Sequence, residues 1–218
     1  MSIERYLVNK IQPPALPVAQ AGPLRAYLDD LNNILRLFFA RVSNNVNLLT
    51  GSDGGRFIDS PNGLFWDNAD QTLAAVNVGQ PVRFNQTYLN NGMTINGPST
   101  SQITLTYSGI YNFQFNAMLR STNASSKNSY IWIRRSGTDI GYSARDYVIS
   151  GSNAVLEINW NFNIDVQAGQ YIEIMWSGSD TNLILDAIVP TSPHPGVPSA
   201  VIAVMFVSVL PDVIPTPP

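Results

Sequence analysis

The stretch Leu156-Glu157-Ile158-Asn159-Trp160-Asn161-Phe162-Asn163-Ile164 alternates apolar and polar side chains without a break. Successive residues of a strand point to opposite faces, so the run reads as a β-strand with one buried face. Tyr111, Phe113, Phe115, Ala117 and Leu119 repeat the pattern against Asn112, Gln114 and Asn116. Further strands are predicted at 64–67, 81–85, 102–107, 129–135, 138–143, 170–176, 182–189 and 199–208. Turn-rich stretches separate them with no helical interruption. Strands at this spacing predict an all-β sandwich over 63–210, for which the jelly roll is the common solution. The nearly continuous apolar run Val201 to Val209 predicts a central strand buried on both faces.

Upstream the periodicity changes. Residues 24–50 read as one amphipathic helix of about 27 residues, roughly 40 Å long. Gly22 serves as cap, Pro23 suits the first helical position, and Asp29 and Asp30 precede Arg36 and Arg41, a charge order that complements the helix dipole. Leu24, Leu28, Leu31, Leu35, Phe38 and Val42 recur at spacings of four and three, with Asn45 and Leu49 continuing the stripe. The stripe has no partner within 1–50, so it either covers the β domain or associates with copies of itself. Self-association is preferred, because Tyr27, Ile34 and Phe39 widen the stripe toward what a three-helix bundle buries.

Residues 1–23 carry Pro13, Pro14, Pro17 and Pro23, which block helix and favour an extended arm. Its apolar residues, among them Ile11, Leu16 and Val18, are too many for a solvated linker. The arm either packs on its own trimer or docks on a neighbouring protein, where Ile11, Pro13, Pro14, Leu16, Pro17 and Val18 would make the contact. Extended, such an arm spans roughly 75 Å. Residues 51–62 read as a Gly-rich joint and 211–218 as a proline-rich tail.

Composition narrows the function. Only 12% of the 218 residues are charged and the net charge is −3, with no sustained basic patch to neutralise phosphates, so nucleic acid is not an expected partner. Cysteine is absent, which removes disulfides and thiolate chemistry. Glu4, Arg5 and Lys10 interrupt any apolar leader, and no segment has the length of a membrane span, so neither secretion nor membrane insertion is expected. His194 is the single histidine and sits between Pro193 and Pro195. The carboxylates Asp139, Asp146, Asp165, Glu173, Asp180 and Asp186 are isolated in sequence, and Gly51 to Gly55 lacks the Gly-Lys-Ser/Thr of a phosphate loop. No enzymatic activity, cofactor or metal is expected. Asp180-Thr181-Asn182 has the oxygens a calcium ion would want but reads first as an ordinary turn. Arg134, Arg135 and Arg145 suit subunit ion pairs or an anionic glycan.

Gly109-Ile110-Tyr111-Asn112-Phe113-Gln114-Phe115 resembles the Gly-x-Tyr-x-Phe-x-aromatic signature of complement-type globular heads, a branch of the TNF-like jelly-roll superfamily. Phe84, six positions before Asn90, and Ala168-Gly169-Gln170-Tyr171-Ile172-Glu173-Ile174 are similar to further parts of that pattern, whereas Ile95, Ile103 and Gln170 depart from it. The resemblance implies a TNF-like jelly roll that works as a homotrimer, with aromatic residues of one sheet at the three-fold axis. Tyr111, Phe113 and Phe115, or the face of Tyr171 and Met175, are the candidates.

A second resemblance covers the first 50 residues. Pro13-Pro14-Ala15-Leu16-Pro17-Val18-Ala19, Tyr27-Leu28 and Leu31 to Phe39 look like the N-terminal segment of small virion proteins of tailed bacteriophages. Gln71-Thr72 and Ile131-Trp132-Ile133-Arg134-Arg135-Ser136-Gly137 are similar to stretches of their heads. It implies a structural protein on the virion surface, first of all a capsid decoration (cement) protein that grips a capsid or tail protein through residues 1–50. The alternative is a short tail fibre or receptor-binding tip recognising a host surface glycan. A cellular complement-like adhesive domain is a third reading.

Overall fold

The computed structural model describes residues 16, 22–50, 60–97, 100–208 and 210. Most of the arm, the joint over 51–59 and the tail over 211–218 lie outside the described residues, including Ile11, Pro13, Pro14, Pro17 and Val18.

Helix α1 spans Arg25–Thr50. The Gly22 carbonyl accepts from the Arg25 amide (3.1 Å), which closes the first turn around Pro23 as expected. The expected dipole complement is corrected: neither the first turn holds an acidic residue nor the last a basic one. Asp29 instead lies 3.6 Å from Arg25 one turn earlier, in an exposed pair of small energetic weight. No described helix is long and apolar enough to cross a membrane.

The described strands are, in chain order, β1 (Asn62–Asp67), β2 (Gln71–Thr72), β3 (Gln80–Pro81), β4 (Gln86–Asn91), β5 (Met93–Asn96), β6 (Gln102–Leu105), β7 (Gly109–Ser121), β8 (Lys127–Arg135), β9 (Thr138–Asp139), β10 (Arg145–Ile149), β11 (Val155–Val166), β12 (Tyr171–Gly178), β13 (Leu183–Leu185) and β14 (Ala200–Ser208). The first sheet has the order β4-β1-β14-β7, with β11 on the far side of β7 and β13-β2 extending its end; the second runs β10-β8-β12-β6-β5. Every pairing among the described strands is antiparallel, and from β6 to β14 the chain passes back and forth between the sheets, which is jelly-roll connectivity.

The two strands that decide the fold pair with each other along their whole length, Leu156 opposite Leu119 and Ile164 opposite Tyr111. Their apolar faces join Phe65, Ile131, Ile172, Ile174 and Trp176 in one core between the sheets. Phe113 stacks on Phe162 with centroids 5.2 Å apart and Tyr111 meets Phe206 edge-on at 5.4 Å. The strand buried on both faces is β12, not β14: Glu173, Met175 and Ser177 are buried as well as Ile172, Ile174 and Trp176. In β14 only the inward set is covered, while Met205 and Val207 are exposed.

Other boundaries also moved. The run 138–143 is a strand only at Thr138–Asp139, after which Tyr142 takes a left-handed backbone (φ 60°). The strands β4, β5 and β10, which are short or lack a sealed alternating face, were not predicted. Between β4 and β5, Gly92 (φ 67°) turns the chain from the first sheet to the second where a Cβ would meet Pro61 and Tyr107 at 3.1 Å, so glycine suits it on both counts.

Candidate functional site

The predicted sheet interface residues separate into two places, the interior of the sandwich for Tyr111, Phe113 and Phe115 and an outer face for Tyr171. Tyr111, Phe113 and Phe115 are 0%, 0% and 2% exposed. They point into the sandwich, and the Tyr111 hydroxyl donates to the Tyr107 carbonyl at 2.8 Å, so they offer no surface to a neighbouring subunit. Burial raises the Tyr111 pKa, with the nearby Tyr107 adding to the effect. Tyr171 is half-buried at the start of β12, out of phase with the core residues Ile172 and Ile174, and so lies on the outer face of the second sheet. The alternation that identified these strands showed that one face is covered; it could not show whether the cover is the opposite sheet or another copy.

The outer face of the first sheet carries two kinds of chemistry side by side. One row across it reads Leu89-Leu64-Ala203-Gln114-Asn161, the next Trp66-Val201-Asn116-Asn159, and a third Asn62-Met205-Asn112-Asn163. The half on β4, β1 and β14 is apolar, with Leu89, Met205 and Val207 exposed and Tyr88 beside Trp66 at 6.2 Å. Next to it Leu64, Trp66 and Val201 face Ile188, Val189 and Val197 across a groove of about 580 Å³. The half on β7 and β11 is an amide ladder. Asn112 Nδ2 donates to Asn161 Oδ1 (2.6 Å) and Asn163 Oδ1 (2.8 Å), and Asn116 Nδ2 to Asn159 Oδ1 (2.5 Å) and Glu157 Oε1 (3.3 Å). On β14 this half was legible in the continuous apolar run Val201 to Val209; on β1 it went unread, although consecutive apolar residues such as Leu64-Phe65-Trp66 must place apolar groups on both faces of a strand.

On α1 the predicted stripe is present and open. Leu28, Leu31, Phe38 and Val42 are 39%, 39%, 59% and 41% exposed, and Leu24, Tyr27 and Ile34 more so than Leu28. Leu35 and Phe39 are partly covered, at the side of the stripe toward Asn32 and Ser43.

No described group of three or more His, Asp or Glu has metal-site spacing. Asp180 closes an ordinary turn, accepting from the Asn182 amide (2.9 Å) and Asn182 Nδ2 (2.8 Å), and these bonds hold its carboxyl below the usual range. The nearby cation is a side chain: Lys127, 1% exposed, donates to Ser121 Oγ (2.9 Å), the Ser125 carbonyl (2.9 Å) and both oxygens of Asn123. His194 lies exposed in a turn, its amide donating to the Thr191 carbonyl at 2.6 Å. Arg134 pairs with Asp139 (2.7 Å) and Arg135 with Asp165 (3.0 Å) within the chain.

No family model matches the chain, and no curated protein matches it. Among solved structures, the chain is similar to the globular domain of the zebrafish complement 1qA protein, over 69% of this chain and 99% of that one, at 15% identity and a TM-score of 0.46.

Proposed function

We propose that this chain is a structural protein of a tailed-phage virion, a homotrimeric capsid decoration protein that attaches through residues 1–50 and displays the sandwich. The observation that carries the trimer is the open stripe of α1: Leu28, Leu31, Phe38 and Val42 stand exposed at heptad spacing. Full burial of such a side chain contributes ~1.5–3 kcal/mol, and a bundle of copies would supply the fraction of it still exposed on α1. The outer face of the first sheet supports the same reading. Leu89, Met205 and Val207 stand exposed together on it, and its two unlike halves suit a head-to-tail contact that closes as a ring. Attachment to a phage head rests on the resemblance of residues 13–19, 31–39 and 131–137 to virion proteins.

Sedimentation of the full chain should give the mass of three copies, and deleting residues 1–22 should leave that mass unchanged while abolishing binding to virions. A truncated trimer that still decorates heads at full occupancy would refute attachment through the arm. Copy number per particle discriminates the alternative: hundreds of copies mean decoration, a few tens or fewer a tail fibre tip.

A further inference from the structure

The two sheets come apart along one side of the sandwich, between β11 and the loop joining β9 to β10, and leave a trench of about 560 Å³. Its floor is aromatic: Trp160 and Phe162 lie 4.7 Å apart, and Phe162 stacks in turn on the buried Phe113. The Arg145 guanidinium lies over the Trp160 ring at 5.9 Å. Among the described arginines of the sandwich, Arg83, Arg120, Arg134 and Arg135 each have a carboxylate partner, and Arg145 has none. Its sequence neighbour Asp146 turns instead toward Asn128 (3.3 Å). The trench therefore presents one uncompensated positive charge on a chain whose net charge is −3. Arg135 and Asp165, also in the lining, neutralise each other at 3.0 Å.

Two features give this charge a context that an ordinary surface arginine lacks. Tyr142 also lines the trench, its side chain wholly exposed on a left-handed backbone that costs a tyrosine of order 1 kcal/mol or more. Burial explains neither the ring nor the strain. The trench also borders the free edge of β11, which among the described strands pairs only with β7, so the main chain over 160–164 presents N–H and C=O groups that no neighbouring strand takes up.

We propose that this trench binds a saccharide bearing a carboxylate. The carboxylate would pair with Arg145, the sugar ring would stack on Tyr142, and the hydroxyls would exchange hydrogen bonds with the open main-chain edge of β11. A flat aromatic ring, a guanidinium seated over Trp160 and an open strand edge match the apolar face, acid group and hydroxyl edge of such a sugar. The inference goes beyond the virion reading and can fail separately from it, since attachment is scored on particles and this site on the soluble chain.

The test is calorimetric titration of the full chain with oligogalacturonate against its methyl ester, and with sialyllactose against lactose. At least one acidic member should bind about tenfold or more tighter than its neutral counterpart, the discrimination expected of one charged hydrogen-bonded pair. Arg145→Gln should erase that difference, and Arg145→Lys should restore part of it. Tyr142→Gly should weaken binding several-fold while leaving the melting temperature unchanged or higher, because glycine tolerates the φ of 60°. The proposal is overturned if neither acidic probe binds or if acid and neutral forms bind alike. It is equally overturned if Arg145→Gln or Tyr142→Gly lowers the sedimenting mass, which would make the trench a contact between subunits.

Discussion

Lys127 holds its ammonium at a place with 1% exposure, and the carbonyl and hydroxyl oxygens of the loop 121–125 converge on it. Exchange for methionine keeps the volume but leaves those oxygens without their donor. Lys127→Met should therefore lower unfolding free energy by on the order of 2 kcal/mol in urea titration, whereas exposed Lys or Arg changes stay within about 0.5 kcal/mol. A variant of unchanged stability would show the cage to be energetically idle. Gly79 is a second sensitive position. A Cβ there would come 2.6 Å from the Trp132 ring, so Gly79→Val should cost ~1–3 kcal/mol by overpacking, read as a lowered denaturation midpoint.

At the scale of elements, the open face of α1 predicts its own perturbation. Leu31→Asp with Phe38→Asp places two charges where copies would meet, so the sedimenting mass should fall or the concentration needed for assembly should rise at least tenfold. The near-ultraviolet signal of the sandwich should stay unchanged. A full-mass trimer from this variant would remove α1 from the interface.

The elements also differ in how plainly the sequence announces them. β7 and β11 alternate over their whole length because one face is sealed and the other carries amides, so Tyr111 to Leu119 and Leu156 to Ile164 were readable. β4, reading Gln86-Thr87-Tyr88-Leu89-Asn90-Asn91, has no sealed face: its four central residues are exposed, and pairing with β1 rather than burial makes it a strand. Period-two reasoning has nothing to detect there. The same limit explains why Tyr111, Phe113 and Phe115 read as a candidate interface and turn out to be core, since such a row records that it is covered and not by which surface. Tyr142 escaped for another reason: its neighbourhood was read as a strand, and its left-handed turn rests on backbone geometry that tyrosine itself does not encode.

For the whole molecule, titration supplies a test of the buried charges. Burial holds Asp67 and Asp186 above the usual 3.8, an effect that Arg83 and Arg120 only partly oppose. Each folded carboxyl keeps its proton where the unfolded one has released it, so stability falls as pH rises above 3.8 through that window. Asp139 and Asp180 are held below 3.8 by hydrogen bonds from Arg134 and from Asn182, and their contribution is lost as pH drops further. The melting temperature should accordingly peak in mild acid rather than at neutrality. Asp67→Asn with Asp186→Asn should flatten the neutral side of the curve. A melting temperature that climbs steadily to neutral pH in the unaltered chain would contradict the assignment.

The Lys127 cage bears finally on how the loop 121–125 is held in surroundings of different metal content. Loops between the strands of a sandwich are often fastened by a calcium ion, which can be stripped away wherever the surroundings are poor in that metal. Here the positive charge that fastens 121–125 is bonded to the polypeptide and travels with it. Washing with a strong chelator should leave the unfolding midpoint of this chain where it was, in soft water as in brine.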